Sequence, residues 1–218
     1  GAANSRWQEA YSYSDGSGHE VMKKIPAEPG LAPSRDGGGA LVHDIEGVLV
    51  YATCTPRWVG TGRTVFDNKG NPVKQYEPFF SSTHAYETET ELVEWGVTPI
   101  LRYDALGRLI RTDLPNGTFS KVVFDPWMQS TFDPNDNVAP LDASDTAGES
   151  LWYQARKGLD PVNDPEGRAA AKAYLHRGTP GVAHLDALGR TFLTIEDNGA
   201  LGAYATRLKL DLEGNPLL

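Results

Sequence analysis

A single cysteine, Cys54, stands in 218 residues, so no internal disulfide framework holds the chain, and secretion cannot be read from bridges. No run of 18 apolar residues occurs, which leaves no candidate for a membrane-spanning helix. The first residues show none of the charged-then-apolar layout of a signal peptide. Positive charge is in deficit. Lys and Arg number 20 against 29 Asp and Glu, a net charge of −9, which argues against electrostatic partnership with DNA, RNA or anionic lipid. Catalytic signatures are missing as well: there is no Gly-x-Ser-x-Gly elbow, no phosphate-binding glycine loop and no His-Glu-x-x-His. What the chain does have is glycine (23) and proline (15), with 39% hydrophobic residues. That mixture suits many short strands joined by turns, around one sizeable core or two small ones.

The clearest organised stretch is 101–117, LRYDALGRLIRTDLPNG. Leu101 and Tyr103 alternate with Arg102 as on a half-buried strand. Asp104 can accept backbone N–H bonds across a turn, and Gly107 supplies the positive φ that a reversal needs. Leu109 and Ile110 start the return strand, and Pro115-Asn116-Gly117 makes the next turn.

This unit recurs. Asp-x-x-Gly with an apolar or aromatic residue close before it appears at Asp15/Gly18, Asp67/Gly70, Asp104/Gly107, Asp186/Gly189 and Asp211/Gly214, and more loosely at Asp44/Gly47. Arg108 and Arg190 follow the glycine in the two nearly identical copies. Phe124-Asp125-Pro126-Trp127 is a degenerate copy, and the steps between aspartates are 29, 23, 37, 21, 61 and 25 residues. Spacing of that size belongs to a supersecondary repeat. Hairpins of this kind pair their edges and merge their apolar faces when set side by side, and a long strip of them twists.

Tyr103-Asp104-Ala105-Leu106-Gly107-Arg108-Leu109 and Leu185-Asp186-Ala187-Leu188-Gly189-Arg190 resemble YD (RHS-type) repeats. Their surroundings narrow the likeness. The run from Arg57-Trp58-Val59-Gly60 through Asn71-Pro72-Val73-Lys74 and Lys121-Val122-Val123-Phe124-Asp125 to His176-Arg177-Gly178-Thr179-Pro180 resembles the B component of bacterial Tc insecticidal toxin complexes. The likeness covers about residues 58–218, roughly three quarters of the chain. It implies a non-catalytic segment of a hollow repeat shell that encloses the toxic part of the complex before translocation. It also implies a secreted or extracellular setting, with a C-type toxin component and the remaining shell repeats as partners. No nucleic acid, cofactor or metal is implied, and no sign of the toxic effector itself is present.

The expected fold is therefore mainly β: consecutive antiparallel hairpins side by side in a twisted strip, with a short helical insertion near 150–177. Residues 1–149 and 178–218 are read as repeats and 150–177 as an insertion packed on the sheet, all in one structural unit. Tyr11, Tyr13, Val21 and Ile25 offer a first hairpin around the Asp15 turn, and 26–39, rich in Pro and Gly, reads as a loop. Around Glu46-Gly47, apolar residues on both faces (Val48, Val50, Ala52 against Leu49, Tyr51) predict a strand buried on both sides. Residues 81–96 suit a helical turn or a loop, and 133–147 an irregular segment. Between 150 and 177, apolar residues at three- and four-residue steps predict two helices of about 8–12 residues, the second capped by Asp164 or Asp160 ahead of Pro165.

Other chemistry has to be weighed beside the turns. His43 and His184 sit just before repeat aspartates, where a histidine on a strand face is the simpler reading. His176 and His184 stand across a Gly-Thr-Pro-Gly break without metal-ligand spacing. Cys54 between strand residues reads as a small buried hydrophobe. Asp133-Pro134-Asn135-Asp136-Asn137 gathers oxygen ligands but lacks the Gly and Glu of an EF-hand loop. Trp58, Trp95, Trp127 and Trp152, with nine tyrosines, read as packing within and between repeats. The alternative is a surface-exposed YD-repeat module that stacks glycans on these rings or binds a cell-envelope partner.

Overall fold

The computed structural model describes residues 7–140 and 148–217. Ser5 and Arg6 of the first expected hairpin, and residues 141–147 of the expected irregular segment, lie outside the described residues. The chain divides into two compact units, Gly1–Thr98 and Pro99–Leu218.

The second unit is the strip that the repeats predict. Seven strands follow one another: β9 (Ile100–Tyr103), β10 (Leu109–Asp113), β11 (Phe119–Phe124), β12 (Met128–Phe132), β13 (Gly181–Leu185), β14 (Thr191–Asp197) and β15 (Ala203–Arg207). Each pairs antiparallel with its neighbours in sequence, so the spatial order is the chain order. Successive hairpins need only short connections, which is why turn chemistry sets this topology. Phe119 is buried on β11 beneath the Arg111 guanidinium, 3.7 Å from its ring centre.

Between β12 and β13 the chain makes a long excursion holding α2 (Leu151–Gln154) and α3 (Pro165–Leu175). Its two ends are clasped together. Asp136 Oδ1 accepts from Thr179 N and Oγ1 at 2.9 and 2.8 Å, and Gly178 N donates to Asp136 O at 3.0 Å. Thr131 can therefore pair with Gly181 as though nothing intervened. Asp164 caps α3, accepting from Glu166 N and Gly167 N, with Pro165 at the first turn. The first expected helix is shorter than its apolar spacing suggested, four residues capped by Ser150. After Gln154 the chain continues in turns that mix i→i+3 and i→i+4 bonds, Arg156 N and Lys157 N both donating to Tyr153 O, on either side of Gly158.

The first unit is less regular. Its strands are β1 (Tyr11–Ser14), β2 (Glu20–Ala27), β3 (Gly30–Pro33), β4 (Tyr51–Cys54), β5 (Arg57–Gly60), β6 (Thr64–Phe66), β7 (Pro72–Gln75) and β8 (Phe79–Ser81), followed by the single helical turn α1 (Thr90–Val93). One sheet runs β1-β2-β5-β8, and the hairpins β3-β4 and β6-β7 form separate ribbons. Met22, Phe79, Leu92 and Val93 make its core, with Tyr13 and Leu41 against it.

Two local expectations change here. The Pro/Gly-rich stretch 26–39 contains β3, because Gly30–Pro33 finds a partner in β4. The strand expected to be buried on both sides is open, with Val48 57% and Tyr51 53% exposed. A two-stranded ribbon offers one covered face, and β-branched residues favour strands even in the open. In β2 the inward residues are Met22 and Lys24, while Ile25 is 44% exposed.

Candidate functional site

The recurring aspartates build one turn many times over. At Asp104, Leu106 N and Arg108 N both donate to Oδ1, at 2.8 and 2.9 Å, while Arg108 Nε donates to Oδ2 at 2.7 Å. Asp104 N donates to Arg108 O, and Gly107 N returns to Asp104 O, at 3.0 and 3.1 Å. One carboxylate thus satisfies two backbone donors and one side-chain donor in a five-residue reversal. Gly107 has φ 79°, which a residue with a Cβ rarely adopts. Asp186 repeats the arrangement, with Arg190 Nε 2.8 Å from Oδ2. At Asp15, Asp67 and Asp211 the third donor is His19, Asn71 or Asn215, each 3.0 Å from Oδ2. Asp44 takes the two backbone bonds alone, from Glu46 and Val48.

Gly18, Gly47, Gly70, Gly189 and Gly214 all have positive φ at the matching place. The hairpins turned by Asp15, Asp67, Asp104 and Asp186 each carry a register shift beside the turn, the mark of the extra residue that a bulge absorbs.

One copy escaped the sequence reading. Asp36 accepts from Gly38 N and Ala40 N at 2.8 and 2.9 Å, and Gly39 has φ 88°. The Asp-x-x-Gly spacing was there to be found. Arg35 precedes it where Phe66, Tyr103, Leu185 and Leu210 precede the clearer copies, and the stretch reads as a loop. Asp125 makes the tighter reversal that its missing glycine allows, with Trp127 N on its Oδ1 at 3.0 Å.

Five of the turn carboxylates, Asp15, Asp67, Asp104, Asp186 and Asp211, are held in their charged form. Asp104 and Asp186 lie below the ordinary aspartate range, first because of the backbone N–H of Arg108 or Arg190, and then through the guanidinium. Asp15, Asp67 and Asp211 are lowered first by the side chains of His19, Asn71 and Asn215. A carboxylate of that kind is a poor proton donor. Asp104, Asp125 and Asp186 turn β9 into β10, β11 into β12 and β13 into β14. Alternate connections of a meander share one end of the sheet, so the aspartates stand along one rim on separate bends.

The remaining candidates are placed as follows. His43 meets Glu91 at 2.9 Å, and His84 lies beside the rings of Tyr11 and Trp58. His184 faces Phe192 across 6.4 Å. His176 ends α3 and borders a cleft of about 560 Å³ with Asp133, Asp136, Thr194 and Glu196. Asp133 Oδ1 accepts from Asn135 N and Asp136 N, and both oxygens of Asp136 are taken, while Asn137 Oδ1 is buried without a hydrogen-bond partner among the described residues. Among the described residues no group of three or more His, Cys, Asp or Glu is arranged to hold a metal. Cys54 is half-buried with Sγ 3.7 Å from Gly30 O. Trp58 is buried, Trp152 lies under Arg156, and Trp95 and Trp127 are 58% and 60% exposed.

A buried ion cluster in the first unit gave no sequence signal. Lys24 Nζ donates to Thr83 O, Ala85 O and Glu87, and Arg35 bridges Glu87 and Glu89 at 2.5 and 2.7 Å. Burial pushes the Lys24 ammonium below its ordinary value, against the pull of Glu87. A lysine in an alternating strand looks like solvent face until the segment after β8 folds over it.

No family model matches the sequence, and no curated protein matches it significantly. Solved structures do. The crystal structure of TcdB2-TccC3 without its hypervariable C-terminal region matches with a TM-score of 0.62 and 25% identity, over 96% of this chain and 8% of that one. A Photorhabdus luminescens Tc holotoxin pore carrying a TccC3 mutation matches with a TM-score of 0.64 and 25% identity, over 96% of this chain and 9% of that one. TcdB2-TccC3 in complex with Cdc42 matches at 0.62 and 24%. This chain spans less than a tenth of the chains it matches. The likeness to Tc toxin complexes read from the residues, and the mainly antiparallel hairpin fold, are both shown by these matches.

Proposed function

We propose that this chain is a non-catalytic segment of a YD/RHS-repeat wall that encloses the toxic part of a Tc-type toxin complex before translocation. The observation that carries the reading is the β9–β15 meander. Its recurring carboxylates are spent on separate bends, each saturated by its own backbone, and the product is an extended sheet. Such a sheet encloses and supports, and its turn carboxylates stand on separate bends instead of converging on one site. The partners are a C-type toxin component and the remaining repeats of the shell, in a secreted bacterial complex. Coexpression with a C-type component tests it: the two co-purify, and the toxic carboxy-terminal segment resists protease only in the complex. Separate elution with an unprotected segment overturns the reading.

A second reading, a surface module that stacks glycans, is favoured by the exposure of Trp95 and Trp127. Glycan-array binding lost in Trp95→Ala or Trp127→Ala decides for it.

A further inference from the structure

The residue four places after a repeat aspartate reaches past its own turn at three sites. Arg108 binds Asp104 Oδ2 through Nε and Nη2, each at 2.7 Å, and lays the same guanidinium on Phe124, 4.2 Å from the ring centre. Phe124 is the residue before Asp125, the next turn aspartate. Arg190 binds Asp186 through Nε at 2.8 Å and sends Nη1 to Asp211 O and Leu212 O, both at 3.1 Å. Asp211 and Leu212 belong to the next turn. His19 binds Asp15 through Nδ1 at 3.0 Å, and its ring stacks on Phe66 at 4.9 Å and 25°. Phe66 precedes Asp67, which turns the hairpin lying beside it.

Two glycines record the same contact from the other side. A Cβ on Gly214 would touch Arg190 at 3.4 Å, and one on Gly70 would collide with the His19 ring. Gly18, Gly47 and Gly189 have open space at that place. The glycine of the receiving turn therefore supplies more than positive φ: it leaves the floor on which the neighbour's side chain lies.

We infer that the side chain at the fourth position after the aspartate is a coupling residue, closing its own turn with one polar atom and docking the neighbouring repeat with the rest. Arginine and histidine share little but reach and a second interacting surface, yet both are used this way, in both units of the molecule. Asparagine at the same position stops short. Asn71 and Asn215 spend their amide nitrogens on Asp67 and Asp211 at 3.0 Å, so they cap a turn without reaching beyond it. The position thus sets which repeats move as one body and which bend independently. This inference does not rest on the enclosure reading and survives its failure.

Asparagine also supplies the test, because it keeps the turn bond and removes the reach. Amide exchange in the full chain is compared for Arg190→Asn, Arg108→Asn and His19→Asn. In Arg190→Asn, the amides of Gly214 and Asn215 exchange about fivefold faster or more, the loss of roughly one net hydrogen bond. The amides of Leu188 and Gly189, in the turn that is still capped, stay within about twofold. In Arg108→Asn the amide of Trp127 responds, and in His19→Asn those of Gly70 and Asn71, each by about two- to fivefold for a lost stacking contact. Arg190→Ala, which loses both contacts, speeds exchange in both turns. The proposal is overturned if the neighbouring turn is unmoved in all three asparagine variants, or if the home turn loosens as much as its neighbour.

Discussion

Lys24 is fully buried, and its three donors hold two carbonyls and Glu87. Lys24→Met leaves the Glu87 carboxylate in the interior with Arg35 as its cation and the Ser81 hydroxyl as its other donor, which costs about 3 kcal/mol in urea unfolding. Adding Glu87→Gln to that background recovers part of the loss, because the uncompensated charge is gone. The turn aspartates make stability depend on pH. Asp15, Asp67, Asp104, Asp186 and Asp211 all titrate lower in the folded chain than free in solution, so protons favour the unfolded chain. Their stabilisation is complete above the free aspartate value of about 3.9 and drains away as pH falls below it through the folded values. An Asp104→Asn/Asp186→Asn variant keeps the Oδ1 acceptors and shows a shallower fall of the urea midpoint between about pH 5 and about pH 2.5. Glycine carries its own test. Gly189→Ala meets open space at φ 74° and costs about 1–2 kcal/mol for the left-handed backbone alone. Gly70→Ala costs more, and His19→Ala removes the excess.

The excursion between β12 and β13 shows how an element can be inserted without breaking a sheet. The ends of the excursion are clasped at Asp136, Trp152 N and Asn137 Nδ2 donate to Gly117 O and Phe119 O of the β10–β11 hairpin, and the strands on either side keep their register. Asp136 is 7% exposed, so Asp136→Ala strands the Thr179 donors and costs about 1–3 kcal/mol. The loosening is local: proteolysis and amide exchange rise across α2 and α3, and β9–β11 exchange as before. Sequence alone placed α3, because Asp164-Pro165 is a start signal and the apolar steps have a helical period. It overstated α2, because the same apolar steps at 151–155 give way to irregular turns of mixed i→i+3 and i→i+4 bonding that no period reveals.

For the whole molecule, the consequence of a meander is a first and a last strand. In the second unit they are β9 and β15, and every residue of β15 is exposed. An edge of that kind invites another strand. Sedimentation velocity shows concentration-dependent association of the chain, and Tyr204→Lys suppresses it by placing charge on the edge strand. A monomer at all concentrations refutes this.

Turn chemistry is local, and five residues contain everything it needs: an aspartate to gather donors, a glycine for the left-handed bend, a polar side chain to close it. That is why the repeats, their antiparallel pairing in the second unit and even the overlooked Asp36 copy were written in the order of the residues. Burial is not local. Whether Lys24 or Ile25 faces inward, whether 48–52 is covered, and which turn His19 touches depend on segments distant in the chain, such as Glu87 folding over β2 or the Asp67 hairpin settling beside Asp15. A strand's two faces are alike until something packs on one of them, and only the assembled tertiary structure makes that choice.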